Sequence, residues 1–391
     1  MSGGDFQGAV HEVDVEAAPV VAARERTLLI LGGSLDHLGG VEAFCERSAQ
    51  ALAKRGGWRT ERIATSTAYL TFRRVPAFLH GIRQLIHHRR HRPDVAWLQY
   101  VNLPDLAYLV VAKLLGMRVM VTPHLGSNWR SQNNPFLRWL SASTLRLADR
   151  LSLISWTQEV EIILPSSVPR SLIRNFLPAE LLDAPLLEGS ALPANEVQII
   201  HSSRLSEGKG TFLVVEACAR LRDAGVPFHT RITGGADQQT MTRLHNMIAE
   251  YGLGEHISVL GRVSEPDLFD HLRRSDVLVH LSRIDSYPLI ILEAMTCSAV
   301  PVVMELAGAR NMVETYRGHI VSAANAVEET TDWLKQCDLA VLRRERVDVA
   351  MQVRTDYGWN RCAAALVAAL DACIAGDRAV TQPEAAIKLT P

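Results

Sequence analysis

Short apolar runs alternate with amphipathic stretches along most of this chain, and the alternation predicts strands and helices in turn. Residues 27–31, 95–99, 119–122 and 151–154 read as buried strands, with helices over 41–55 and 105–115 between them. The pattern restarts at 197–201. Strands at 228–233, 257–260 and 277–280 then alternate with helices at 211–224, 239–251 and 265–274, and a last helix covers 360–375. Strand and helix in regular alternation is the pattern of doubly wound parallel α/β domains.

Between the two series, residues 178–195 contain prolines and a glycine with little periodicity, so they read as a connection. The expected organisation is an N-terminal extension (1–25), a Rossmann-like domain (26–185) and a linker (186–195), followed by a second Rossmann-like domain (196–355), a C-terminal helix (356–375) and a tail (376–391). A length of 391 residues suits two domains better than one. With 48% hydrophobic and 21% charged residues the chain is globular, and a net charge of −1 gives no reason to expect a nucleic-acid partner. Six cysteines without a C-x-x-C pair read as buried thiols in a reducing compartment, not as a disulfide frame or zinc site. The apolar stretch 106–121 is broken by Lys113 and Arg118, so no membrane span is expected. Nor do residues 1–25 read as a signal peptide, which makes the cytoplasm the default location.

The chemistry is concentrated in Ser282-Arg-Ile-Asp-Ser-Tyr-Pro-Leu-Ile-Ile-Leu-Glu293. Pro288 suits a first helical turn, which puts Asp285 just before a helix and Glu293 inside it, with the helical part separating them by roughly 8 Å. Backbone N–H groups near Ser286, Leu289 and Ile290 would point at a phosphate there. After strand 197–201 comes Ser203-Arg-Leu-Ser-Glu-Gly-Lys-Gly210, whose Arg204 and Lys209 suit a diphosphate clamp. After strand 228–233, Gly234 and Gly235 offer a close-approach turn. After strand 27–31, Gly39 and Gly40 open a helix without forming a G-x-G-x-x-G fingerprint, which counts against a nicotinamide-dependent oxidoreductase. His124 follows strand 119–122.

Asp285 and Glu293, with Arg204 and Lys209, resemble the E-x7-E signature and basic pair of family 4 retaining glycosyltransferases, which have the GT-B fold. The sequence departs from the family in one place: Asp285 with Ser286-Tyr287-Pro288 stands where Glu and Gly-Phe-Gly are usual. The resemblance covers about residues 27–375. It implies a cleft between two domains and a nucleotide-sugar donor with Arg204 and Lys209 on its diphosphate. Asp285 would lie on the sugar hydroxyls, Glu293 on the ribose and His124 on the opposite wall, with Gly39 and Gly40 near the phosphates. No cofactor or metal is implied.

Residues 124–132 and 174–178 further resemble bacterial α-mannosyltransferases that take GDP-mannose and extend a polyprenyl-diphosphate-linked cellobiose in exopolysaccharide assembly. Arg73, Arg74, Arg89 and Arg90 flank apolar positions in a basic amphipathic stretch suited to an anionic membrane surface, which gives a peripheral location on the inner face of the cell membrane. A family 4 enzyme using a UDP-sugar and a non-catalytic homologue that only binds sugar nucleotides are the alternatives.

Overall fold

The structure is a computed structural model that describes residues 25–33, 39–65, 75–126, 129–186, 192–285 and 287–377. Arg73, Arg74 and Ser286 lie outside the described residues, as do the N-terminal extension and the end of the tail. Two six-stranded, all-parallel sheets form the molecule. The first contains β1 (Arg26–Leu31), β2 (Trp58–Ile63), β3 (Val95–Tyr100), β4 (Val119–Pro123), β5 (Arg150–Leu153) and β6 (Arg170–Leu172), in the order β2-β1-β3-β4-β5-β6. The second contains β7 (Val197–Ser202), β8 (Phe228–Thr233), β9 (Ile257–Gly261), β10 (Val277–His280), β11 (Val300–Met304) and β12 (His319–Val321), in the order β12-β11-β10-β7-β8-β9. These are the flavodoxin-like and Rossmann orders, with switch points between β1 and β3 and between β7 and β10. The chain has the GT-B fold.

Most strands that sequence reading finds lie inside the sheets, the edge strand β9 being the exception. Every residue of β3, β4, β7 and β10 is buried, which produces their unbroken apolar signal. β2 escapes that reading because Arg59, Thr60, Glu61 and Arg62 fill an edge strand with polar side chains. β6 and β12 are three-residue edge strands, and β11 carries Pro301. Helices Ala307–Tyr316, Ala326–Gln336 and Leu339–Asp356 also go unread. All six cysteines are free, and five are buried. Among the described residues, no helix is long and apolar enough to cross a membrane.

Helix Trp359–Ala375 returns to the first sheet. Its Cys362, Leu366 and Leu370 pack with Leu28, Phe44 and Trp97 in one core cluster. Each such buried side chain contributes ~1.5–3 kcal/mol. The return passes beside the other crossing between the domains: Arg174 Nη1 donates to Asp356 O (3.0 Å) and its guanidinium lies over the Tyr357 ring, while Trp359 Nε1 donates to Leu177 O (2.7 Å). Residues 174–178 thus form one strap of a two-strap hinge.

Candidate functional site

The loops after β7 and β10 meet at the switch point of the second sheet. His201, at the end of β7, is fully buried; its Nδ1 faces Val279 O (3.0 Å) and its Nε2 faces Thr211 Oγ1 (3.1 Å). A carbonyl only accepts, so Nδ1 carries the proton, and burial lowers the imidazole pKa to about 4. This neutral ring ties β7 to β10 and to the start of helix Thr211–Asp223. Two glycines let the loops close. A Cβ on Gly210 (φ 74°) would stand 2.1 Å from Leu281 O, and one on Gly234 (φ 141°) 1.6 Å from Ser203 O. Gly234 is therefore required for packing under the loop 203–210, whereas a Cβ on Gly235 would make ordinary contact with the Arg262 guanidinium at 3.6 Å.

This packing places the Lys209 Nζ against Asp285 Oδ1 in an ion pair, while His280 Nε2 donates to Asp285 Oδ2 at 2.8 Å. The Lys209 and Asp285 side chains are only 19% and 16% exposed, and that of His280 is 3% exposed. Burial pushes the Asp285 carboxyl up, but the His280 hydrogen bond and the Lys209 charge outweigh it and hold the acid well below the usual carboxylate range. His280 is a residue the sequence reading missed, since a histidine ending a strand carries no signal until the turn folds back onto it. Arg204 is exposed on the same loop.

Pro288 has extended backbone (ψ 104°) and caps helix Leu289–Thr296 instead of lying in its first turn. The reading of Asp285 before the helix and Glu293 one turn inside it agrees with the structure. Leu289 and Ile290 face the core beneath the loop. Burial raises the Glu293 carboxyl to about 7; Arg47 pulls it down and Glu265 pushes it up. Arg47, from helix Gly40–Arg55 of the first domain, pairs with Glu265 of the second, and its Nη1 donates to Phe176 O (3.2 Å). Glu293 therefore sits where the two domains touch.

On the facing wall, His124 follows β4 with its Nε2 2.8 Å from Gln99 Oε1 and its ring edge-on to Phe44. Burial lowers its pKa to about 4. Gln99 ends β3 at the first sheet's switch point, is fully buried against Gly32, and has no partner for its Nε2 among the described residues. With Gln99 Oε1 accepting, His124 Nε2 donates and Nδ1 is left as an acceptor. Gly39 caps helix Gly40–Arg55 with extended backbone, and a Cβ on Gly40 would meet nothing within 4 Å.

A cavity of about 180 Å³ spans both domains, lined by Gly126, Trp129 and Glu161 on one side and by Ile284, Asp285 and Glu305 on the other. Burial raises the Glu161 carboxyl to about 7, offset in part by the backbone N–H of Gly308. Sequence reading singles out neither residue: Glu161 ends the short helix Gln158–Glu161, which has no motif, and Trp129 lies within the segment 124–132 without being picked from it. The structure thus brings together Lys209, Asp285 and His280, and places Glu293 and His124 at other points of the interdomain cleft. Arg89 and Arg90 are exposed in a 3-10 turn of the first domain. Among the described residues, no group of three or more His, Cys, Asp or Glu is placed to hold a metal ion.

Residues 186–343 match the family described as glycosyl transferases group 1. A stretch of 129 residues is 31% identical to a protein described as the colanic acid biosynthesis glycosyltransferase WcaL of Escherichia coli (strain K12), covering 31% of each chain. A D-inositol 3-phosphate glycosyltransferase of Arthrobacter sp. (strain FB24) is 24% identical over 176 residues, 44% of this chain and 42% of that one. The chain spans about a third to a half of the length of these curated relatives. Among solved structures, sucrose-phosphate synthase from Thermosynechococcus elongatus superposes with a TM-score of 0.72 at 17% identity, over 90% of this chain and all of that one. Anabaena HepE in complex with UDP and glucose gives 0.69 at 16%, over 89% and 100%. Residues 186–343 are therefore similar to group 1 glycosyl transferases, and the chain that carries them has the GT-B fold.

Proposed function

We propose that this chain is a retaining glycosyltransferase that moves mannose from GDP-mannose to a polyprenyl-diphosphate-linked oligosaccharide in exopolysaccharide biosynthesis, working at the inner face of the cell membrane. The observation that carries the transferase reading is the cluster of Lys209, Asp285 and His280 at the second sheet's switch point, opening on a cavity shared by both domains. Lys209 and Arg204 neutralise the leaving diphosphate, the charge stabilisation that speeds such a transfer most. The bond from the sugar C1 to the diphosphate oxygen breaks and the bond from C1 to the acceptor oxygen forms on the same face. The departing oxygen takes the acceptor's proton, and no side chain becomes covalently attached. Asp285, held ionised, accepts hydrogen bonds from the sugar hydroxyls, and His280 is a positioning residue that fixes its carboxylate. Glu293 accepts from the ribose. Neutral His124 meets the sugar from the other wall.

The mannose assignment rests on the resemblance of residues 124–132 and 174–178 to GDP-mannose enzymes, and membrane attachment on the basic stretch that includes Arg89 and Arg90. The shorter acid at 285 favours a second reading, a UDP-sugar donor. A thermal-shift screen over GDP-, UDP- and ADP-sugars separates them, since a ligand at a hundred times its Kd stabilises by ~2.7 kcal/mol. A shift with GDP-mannose is expected; a shift with UDP-sugars alone would sink the mannose assignment. No shift with any of them would sink the donor site. A shift with GDP-mannose but no transfer to any lipid-linked acceptor would mark a non-catalytic homologue.

A further inference from the structure

Among the described residues, one face of the first domain has no protein partner and an unusual composition. Helix Val75–His88 packs on helix Leu106–Leu114, where the Phe78 ring meets Tyr108 edge-on at 5.4 Å and Tyr108 Oη donates to Phe78 O. Helix Leu106–Leu114 packs in turn on helix Pro135–Leu145. The inner sides of this layer supply core residues such as Leu85, Leu109 and Leu145. Its outer side presents Leu79, Ile86, Leu114, Phe136, Trp139 and Leu140 to solvent, with Leu114 81%, Phe136 65% and Trp139 63% exposed. The Phe136 and Trp139 rings stack at 6.1 Å, one turn apart on a single helix. Large apolar side chains gathered on one face mark an interaction site.

The charge on this layer is as one-sided as its polarity. Residues 75–148 contain nine arginines and lysines against two acids, in a chain whose net charge is −1. The nearby acids do not balance the face: Asp105 is fully buried and accepts from the N–H groups of Val101 and Asn102, Asp94 accepts from Thr27 N in β1, and Asp149, next in sequence, pairs with Lys113 and Arg118 and leaves the other cations of the layer. Arg83, Arg89 and Arg146 are exposed around the apolar residues. Aromatic side chains on a layer with an excess of arginines complement a bilayer whose headgroups are anionic and whose acyl region begins just below them.

We infer that this three-helix layer is a membrane-docking face in which Phe136 and Trp139 insert among the headgroups of an anionic bilayer while the arginines hold its surface charge. This rests on the membrane part of the proposed function and goes further than the basic stretch, because it makes helix Pro135–Leu145 the inserting element. The position of that helix gives the docking a use. Trp129, seven residues before Phe136, lines the cavity that Asp285 also lines, and Gln132 Oε1 accepts from Ile163 N to tie the intervening turn to the cleft rim. Insertion at Phe136 and Trp139 brings the first-domain wall of the cleft down to the lipid surface, where a substrate with an isoprenoid tail is held.

The test is flotation of the full chain with vesicles of phosphatidylcholine alone or of equal parts phosphatidylglycerol and phosphatidylcholine. Wild type is expected to float with the anionic vesicles, less so at high salt, and to give a blue-shifted tryptophan emission that W139F loses while still binding. The double variant F136S/W139S alters only exposed side chains and is expected to keep its melting temperature while binding at least about tenfold more weakly. R89E/R90E is expected to lose the salt-sensitive part alone. If wild type floats and F136S/W139S floats equally well, the inserting face is wrong although membrane attachment stands. Wild type that does not float refutes both. Self-association abolished by F136S/W139S, without vesicle binding, would assign the face to a second copy of the chain. None of these readouts involves transfer, so the donor-site reading is tested separately by the nucleotide-sugar screen.

Discussion

At the switch point of the second sheet the side chains are charged and paired: Lys209 and His280 grip the two oxygens of Asp285, and each gives up solvent to do so. At the switch point of the first they are neutral. Gln99 and His124 share one hydrogen bond, and burial keeps the imidazole uncharged at physiological pH. Both sheets bring strand ends to one cleft, yet one half prepares charge and the other prepares hydrogen bonds. The difference follows the division of labour proposed for them. A diphosphate leaving group needs countercharge, and an ionised pair that is already desolvated supplies it without reorganisation. In that reading the sugar already meets the ionised Asp285 from the second domain, so a neutral hydrogen-bonding ring on the first-domain wall completes its contacts without the desolvation cost of a second buried charge.

The largest test of this contrast is Lys209→Ala. It is expected to lower kcat by about two to three orders of magnitude with the far-UV circular dichroism unchanged; near-normal turnover would remove charge stabilisation from the second domain's role. Next comes His280→Leu, expected to lower kcat about tenfold with little change in the donor KM. Because His280 helps hold Asp285 ionised, the acid limb of the rate profile should move to higher pH in this variant. His280→Gln, whose amide can still donate, should restore most of the rate and the limb; equal losses in both variants would mark His280 as merely structural.

How much of this was legible in the sequence differs between the halves in the same way. Asp285, Glu293, Arg204 and Lys209 stand at fixed spacing within the segment that matches the family, since a clamp on a diphosphate demands a strand end and a helix start at set distances. The fully buried strands were legible because both faces exclude water. Gln99 and Glu161 were not, because each is placed by tertiary contact and has no local spacing to betray it. Arg47 and Glu265 meet across 218 residues and could be found only in three dimensions.

Two smaller effects sharpen the contrast through pH. Glu293 titrates at about 7 in the fold against 4.5 when unperturbed, so its protonated form is favoured by folding. Its contribution to stability is complete below pH 4.5 and is lost as pH rises through 7. Glu293→Gln is expected to gain a few degrees in Tm over wild type at pH 8 and nothing at pH 4, while its donor KM rises. His124 behaves oppositely: with a folded value of about 4 against 6.5, its contribution is complete above 6.5 and is lost as pH falls through 4. His124→Asn should flatten part of the fall in Tm between pH 6.5 and 4, the remainder being shared by His201, His229, His271 and His319, whose pKa values burial also lowers. An unchanged slope in calorimetric scans would mean that His124 is not held neutral by its surroundings.

Helix Trp359–Ala375 has a consequence for how the protein is made. β1 leaves the ribosome well before the helix that covers Leu28 and Trp97, which is encoded more than 300 positions later. At roughly 5–20 residues per second its arrival takes tens of seconds, during which the sheet's apolar flank stands open to water and to other chains. The second domain has no such debt to a distant segment of this kind and can close as it emerges. A nascent first domain waiting in this way is a natural client for a chaperone, and its core is completed only by a segment made after the whole second sheet.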